Sequence, residues 1–332
     1  MTDIYKKIND IIADARHIVV LQADNPDGDS LSSALALESI LSAMNKQVSL
    51  VCGVDMPQHL RYLEGWSRVE KDVPHSFDAS IIVDASTSTL FETFQKTQQY
   101  SWILTKPLIV IDHHQTTSGI PEAAVSLIPC AVATGEVIYQ LANSLKWPIP
   151  LDAARYIAVS ILSDSLGLTS EGTTVESIRI LADVVDAGVK LSEIETARRE
   201  LMKREPELLH YKGRLLERVV LHHNNSIATV VIPWKEIQQY SSMYNPSVLV
   251  LDDMRMTVGV KIAIAFKVYS DGKVTAKLRT NSDGAIADKI ADHFGGGGHS
   301  YAAGFKKLGV TNYETLIQET VQLASKLLAE QP

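Results

Sequence analysis

The stretch Gln22-Ala23-Asp24-Asn25-Pro26-Asp27-Gly28-Asp29-Ser30-Leu31 decides how the chain is read. Ahead of it stands an apolar run, His17-Ile18-Val19-Val20-Leu21, and behind it Leu31, Ala34, Leu35, Ile40, Leu41 and Met44 recur at helical spacing. The expectation is a loop between a strand over 17–23 and a helix over 30–45. Pro26 and Gly28 supply the turn, and Asp29 or Ser30 can cap the helix. Asp27 and Asp29, two residues apart on such a loop, repel one another unless a cation stands beside them.

Working outward, short apolar runs alternate with helical patterns. Val48 to Cys52, Ser80 to Val83 and Leu108 to Ile111 read as strands. Thr134 to Leu145, Leu151 to Leu162 and Thr174 to Ala187 read as helices, the last stopped by Gly188. This βαβ rhythm predicts an α/β domain with a doubly wound parallel sheet, in which ligands gather at the carboxyl ends of the strands. Three of the strands run into acid there: Asp27 and Asp29, then Asp84, then Asp112-His113-His114. Asp164 follows where Ser163-Asp164-Ser165 breaks a helical pattern. Any one of these acids could be a cap, a turn residue or a surface charge; four such places together point to a site. Hard oxygen donors with one or two imidazoles suit Mn²⁺ or Mg²⁺. A set this large can hold two ions about 3.5–4 Å apart, an arrangement that activates water and clamps the oxygens of an in-line displacement at phosphorus.

Composition sets bounds on this reading. The 332 residues are long for a single core, and the net charge of −8 argues against a broad basic surface for nucleic acid, while leaving room for a short nucleotide held by local groups. No apolar run reaches the roughly 20 residues needed to cross a bilayer, and residues 1–14 lack an apolar leader core, so a cytoplasmic location and no membrane partner are expected. Cys52 and Cys130 stand far apart without metal-ligand spacing and are expected to be buried thiols.

In the second half, Leu191 to Arg214 reads as a charged helical connector whose Arg-Arg-Glu and Lys-Arg-Glu runs form a solvated face. Hairpins are expected over 215–221 with 226–232 and over 258–269 with 274–278, followed by helices over 285–294 and 313–328, making a smaller α+β domain. His222-His223 has no acids nearby and is expected to have a surface or core role. Between the last helices lies Gly295-Gly296-Gly297-Gly298-His299. Such a glycine loop can turn backbone N–H groups toward an anion, His299 adds a donor or stacking ring, and the fork of Arg279 suits a phosphate.

Asn25-Pro26-Asp27-Gly28-Asp29, Val83-Asp84, Asp112-His113-His114 and Ser163-Asp164 resemble, in order, the four motifs of the DHH phosphoesterase superfamily. The run Gly295 to Gly304 resembles the GGGGH signature of the DHH-associated C-terminal domain. Within the superfamily, the size and motif forms are most similar to bacterial oligoribonucleases of the nanoRNase type, which also dephosphorylate 3′-phosphoadenosine 5′-phosphate. The resemblance implies two Mn²⁺ ions: Asp27 and Asp84 at one, and Asp29, Asp84, His113 and Asp164 at the other, with Asp84 bridging. It further implies that His114 faces the phosphate, and that Arg279, Gly296, Gly297, Gly298 and His299 hold a short RNA, a linear dinucleotide such as pApA, or 3′-phosphoadenosine 5′-phosphate. The implied divisions are a catalytic domain over 1–188, a linker over 189–214 and a substrate domain over 215–332, with the site in the cleft between domains; a homodimer is compatible with all of this. Two departures stand out. Ala23 occupies the position of a family histidine ligand, and Ser32 that of a usual glycine. Ala23 leaves the first ion a ligand short, to be made up by Asp24, Gln22 or water. A cyclic di-AMP phosphodiesterase, an inorganic pyrophosphatase and a non-catalytic nucleotide sensor are the alternative readings.

Overall fold

The chain order through the first unit is α1 (Thr2–Asp14), β1 (His17–Gln22), α2 (Gly28–Ala43), β2 (Gln47–Cys52) and β3 (Ala79–Val83). Then come α3 (Glu92–Lys96), α4 (Gln99–Ile103), β4 (Leu108–Ile111), β5 (Val125–Leu127), α5 (Thr134–Leu145), α6 (Leu151–Asp164), α7 (Val175–Asp186) and α8 (Leu191–Met202). The computed structural model describes residues 2–114 and 119–330, and it divides into two units between Lys203 and Arg204, inside the stretch expected as a connector.

All five strands of the first unit pair in parallel in the order β2-β1-β3-β4-β5. The order reverses beside β1, so a crevice opens beyond the carboxyl ends of β1 and β3. Period-two alternation sorts the strand residues to two faces: Ile18, Val20, Ile81, Ile109 and Ile111 pack with α2, α5 and α6, while Val19, Leu21, Ile82 and Val110 pack with Phe91, Phe94 and Ile103. The short helices α3 and α4 that cover this second face lie in a region whose sequence shows no clear period.

Twelve of the 16 residues of α2 are buried, so it is a central helix with no solvent face. It starts two residues earlier than expected, and the cap is Asp27, not Asp29 or Ser30. The extended backbone of Asp27 lets its Oδ1 accept from Ser30 N (3.0 Å), while Asp27 N donates to Ser30 Oγ (2.9 Å). Asp29 is thereby carried into the first turn, fully buried. Close packing fixes this turn from the other side: a Cβ at Gly28 would overlap the Ser163 side chain, 2.9 Å from its Cβ. Ser32, in place of the usual glycine, is accommodated by a hydrogen bond from its Oγ to Gly28 O. Cys52 is buried as expected; Cys130 is exposed, because it lies in the loop that precedes α5.

The second unit runs α9 (Pro206–Glu217), β6 (Val220–His222), β7 (Ile227–Pro233), α10 (Trp234–Tyr240), α11 (Pro246–Arg255), β8 (Ile262–Val268) and β9 (Val274–Thr280). It ends with α12 (Ala287–His293), β10 (Gly297–His299), β11 (Ala302–Lys307) and α13 (Tyr313–Ala329). The sheet order is β10-β11-β9-β8-β7-β6, antiparallel except for β7 against β8. Residues 215–217 are helical where a strand is expected. Leu208, Tyr211 and Leu215 fall on one helical face and bury against Val230 and Ala263, and that packing outweighs the apolar run. The first hairpin turns at His223, Asn224 and Asn225, all with left-handed backbone, and His222 Nε2 lies 2.9 Å from Thr229 Oγ1, a structural role.

The glycine run is also not a free loop, since Gly297, Gly298 and His299 form an edge strand on β11. Gly298 has φ +139°, and a Cβ there would sit 2.8 Å from that of Ala303; one at Gly296 would sit 2.6 Å from Phe305 Cβ. These two glycines are what lets β10 approach β11. Among the described residues no helix is long and apolar enough to cross a membrane.

Candidate metal centre

Asp84 ends β3 with its N–H still bonded to Ile111 O (3.0 Å), but its φ of +56° is left-handed, which costs a non-glycine residue about 1–2 kcal/mol. This strain turns its carboxylate into the crevice. Asp112 ends β4, and its Oδ1 accepts from the N–H groups of His113 (2.7 Å) and His114 (3.1 Å), folding the Asp-His-His segment back on itself. The ring of His113 is thus brought among acids from three other elements. Its Nε2 lies 3.2 Å from Asp164 Oδ2, 3.5 Å from Asp84 Oδ1 and 3.7 Å from Asp29 Oδ2. His113 Nδ1 lies 3.2 Å from Ala131 O, and because a carbonyl only accepts, the proton of the neutral ring sits on Nδ1 and the lone pair of Nε2 faces the carboxylates.

Among the described residues, two overlapping groups of potential ligands result: Asp29, His113 and Asp164, and Asp84, Asp112, His113 and His114. Of the expected ligands, Asp29, Asp84, His113 and Asp164 come together. Asp27 is outside both groups, its Oδ1 engaged as the α2 cap, although its charge still reaches Asp84. Ala23 is buried in the apolar layer with Leu21, Val51 and Phe91. Next to it, Asp24 Oδ2 accepts from the N–H of Thr93 (2.7 Å), and Oδ1 is buried with no hydrogen-bond partner among the described residues. Arg279, Gly296, Gly297, Gly298 and His299 belong to the second unit, where register sets Arg279, Ala302 and His299 in one row across three strands, so that they share a face.

Burial, and then the charges of Asp29, Asp27, Asp164 and Asp112, push Asp84 up to about 11. Asp29 is raised by burial and by Asp164, against the hydrogen bonds it receives. Burial works against a charged His113, yet its bond to Asp164 and the charges of Asp29 and Asp164 carry it up to about 9. With only protons to balance them, these carboxylates are poorly neutralised. The donor set, hard oxygens around one imidazole lone pair, fits a divalent cation, which would displace those protons.

Several of the groups that hold the acids in place are invisible in the motifs. Thr134 opens α5, whose N-cap, Ala133, has no side chain to offer; the Thr134 N–H is taken instead by Asp29 Oδ2 (2.7 Å), and Thr134 Oγ1 donates to Asp84 Oδ1 (3.0 Å). Ser33 Oγ (2.9 Å) and Ser160 Oγ both donate to Asp29 Oδ1, and Ser160 also accepts from Gly135 N (2.8 Å). The carboxyl group of Asp29 therefore stands at the positive end of α5, which favours its ionised form.

Residues 17–161 match the DHH family, N-terminal domain. This stretch is a DHH-family domain. Over 308 residues the chain is 25% identical to the bifunctional oligoribonuclease and PAP phosphatase NrnA of Thermus thermophilus, covering 92% of this chain and 86% of that one. It is likewise 24% identical, over 290 residues, to the NrnA of Mycoplasma genitalium, covering 86% and 87% of the two chains. In fold it is similar to an exopolyphosphatase-related protein from Bacteroides fragilis, with TM-score 0.79, 17% identity and coverage of 99% and 98%. RecJ from Thermus thermophilus, solved in complex with Mn²⁺, matches at TM-score 0.50 and 17% identity, covering 99% of this chain and 55% of that one.

Thr134→Val tests the hydrogen bonds that support this carboxylate cluster. It keeps the bond from the backbone to Asp29 and removes only the hydroxyl on Asp84. Affinity for a divalent cation, probed with Mn²⁺ by calorimetric titration, should fall about tenfold, with Thr134→Ser restoring it. Unchanged affinity would leave the hydroxyl a packing role only.

Proposed function

We propose that this DHH-family phosphoesterase hydrolyses short oligoribonucleotides and 3′-phosphoadenosine 5′-phosphate, using two divalent cations with Mn²⁺ preferred. One observation carries the reading: the Nε2 of His113 points at three carboxylates from separate elements, within 3.7 Å of each. Asp29, Asp84, His113 and Asp164 would hold one cation. Asp84 and Asp27 would hold the other, more weakly because Ala23 supplies no donor. Bound there, the cations supply an activated water and neutralise the oxygens of the phosphate.

The remaining steps fall to the protein. His114 is half exposed, and its Nδ1 is held by Asp112 Oδ1 at 2.8 Å, which leaves Nε2 to face substrate. The bond to Asp112 raises its basicity, which favours the protonated ring that would deliver a proton to the leaving oxygen. In the second unit, Arg279 and the exposed backbone of Gly297 and Gly298 suit a phosphate, and His299, stacked on Tyr301 at 5.7 Å, extends an aromatic surface for a base. The relatives' names support these substrates.

Incubation with Mn²⁺ and, in turn, pApA, a five-residue oligoribonucleotide, cyclic di-AMP and 3′-phosphoadenosine 5′-phosphate tests the proposal. Release of mononucleotide from the linear substrates, and of phosphate from the last, is expected. Consumption of cyclic di-AMP alone would transfer the assignment to a cyclic-dinucleotide phosphodiesterase, and no turnover of any would leave a nucleotide sensor.

A further inference from the structure

The register of the second sheet sorts its residues cleanly between two faces. Ile264, Phe266, Ala276, Leu278, Ala303 and Phe305 go to the apolar core with α12 and α13. The opposite face receives the alternate residues, and on β9 these include Lys277 and Arg279. Lys277 is paired laterally with Gly304 of β11, itself paired with Gly297 of β10, so beside this lysine the sheet has a floor without side chains two strands wide. One row further, Thr275 is flanked by Lys267 of β8 and Lys306 of β11. Arg279, Lys277 and Lys267 therefore run diagonally across one face, each about 7 Å from the next, a spacing comparable to that of successive phosphates in an extended single strand.

Carboxylate partners are missing from this row. Among the described residues, the ion pairs of the second unit engage Lys212, Arg218, Arg255, Lys261 and Lys326, and none involves Lys267, Lys277, Arg279 or Lys306. The guanidinium of Arg279 donates to the carbonyl of Leu278, at 2.9 Å. Burial and the neighbouring Arg279 hold Lys277 below the usual lysine range, and burial and Lys277 do the same to Lys267. Half-buried like charges in a line cost free energy, and an anion of matching spacing would supply the balance.

We propose that Lys277 and Lys267, continuing from Arg279, form a phosphate track that grips the backbone of a single-stranded oligoribonucleotide beyond its first two nucleotides. The track sets a preference for substrate length, and it rests on the reading of this chain as an oligoribonuclease. The alternative source of the same chemistry, a lone nucleotide bisphosphate, would reach Arg279 and the glycine floor but not Lys267.

Equilibrium binding of fluorescent two-residue and five-residue oligoribonucleotides to the full chain, in chelator so that nothing is cleaved, tests the track. Lys277→Gln and Lys267→Gln should each weaken the five-residue ligand about fivefold at low salt, and should each reduce the slope of log affinity against log salt by about 0.7. The two-residue ligand should bind Lys267→Gln as it binds the wild type. Both variants relieve repulsion, so neither should melt below the wild type, which separates lost contacts from lost folding. Equal losses at both lengths, or none at five residues, would overturn the track while wild-type hydrolysis of the oligonucleotides upheld the activity. A wild type that neither binds nor cleaves either ligand would overturn both.

Discussion

Asp84→Asn should be a more stable protein and a nearly dead enzyme. The amide keeps an acceptor for Thr134 Oγ1 and nearly the same shape as the carboxyl, but removes a group whose ionisation burial and four neighbouring acids combine to disfavour, so that the fold no longer has to hold a proton on it. Replacing a carboxyl that the fold must keep protonated by a neutral isostere is worth about 1–2 kcal/mol, or roughly 5 °C in the transition of a unit of this size. The shift should appear only in chelator, by thermal melting, since a bound divalent cation offsets the same repulsion in the wild type. Turnover should fall about a thousandfold or more, beyond the 10–100-fold typical of residues that merely support a ligand. Ordinary activity in this variant would remove Asp84 from the centre, and a lower melting point in chelator would show that the acids are not in conflict.

The second large effect is that of pH on the metal-free protein. Asp84 is raised to about 11 and His113 to about 9, so between the ordinary values of these groups and those limits the folded chain binds more protons than the unfolded one. Stability then falls as pH rises, by up to about 1.4 kcal/mol per pH unit for each extra proton held. For His113 the stabilisation is fully present below about 6.5 and is lost on passing 9; for Asp84 the protonated form is favoured in the fold across the whole interval from about 4 to 11. In chelator the melting temperature should drop steadily from about pH 6 to about pH 9. With saturating Mn²⁺ the trend should flatten or reverse, because cation binding releases those protons and is itself favoured at higher pH. A flat profile in chelator would mean that the carboxylates are neutralised by something other than protons. Titration should further resolve one tight and one weak Mn²⁺ site, the weak one reflecting Ala23; two equal tight sites would show that Asp24 or another group replaces the missing donor.

The acids of this centre are legible in the sequence because each follows an apolar strand or closes a helix, where short-range pattern and chemistry coincide. The parallel sheet, the order of the motifs and the residues of the His113 cluster can be read in that way. What the sequence hides is tertiary. Thr134 and Ser160 look like ordinary helix residues, and their role follows only from the bonds they make with Asp29, 105 and 131 positions away in the chain. The motif marks Asp27 as a ligand, while the local capping geometry gives its Oδ1 a competing job that spacing does not reveal. The glycine run shows the same limit. Its composition suggests a loop, and the strand pairing that uses Gly298 is visible only once β11 lies beside it.

The contact between Gly28 and Ser163 ties the loop of the first acids to the turn bearing the last. Position 28 has no room for a side chain while serine stands opposite. A side chain at 28 should therefore be tolerated only together with an answering change at 163. In a lineage that has diverged to about a quarter identity across nearly its whole length, that covariation is where the geometry of the centre would be inherited.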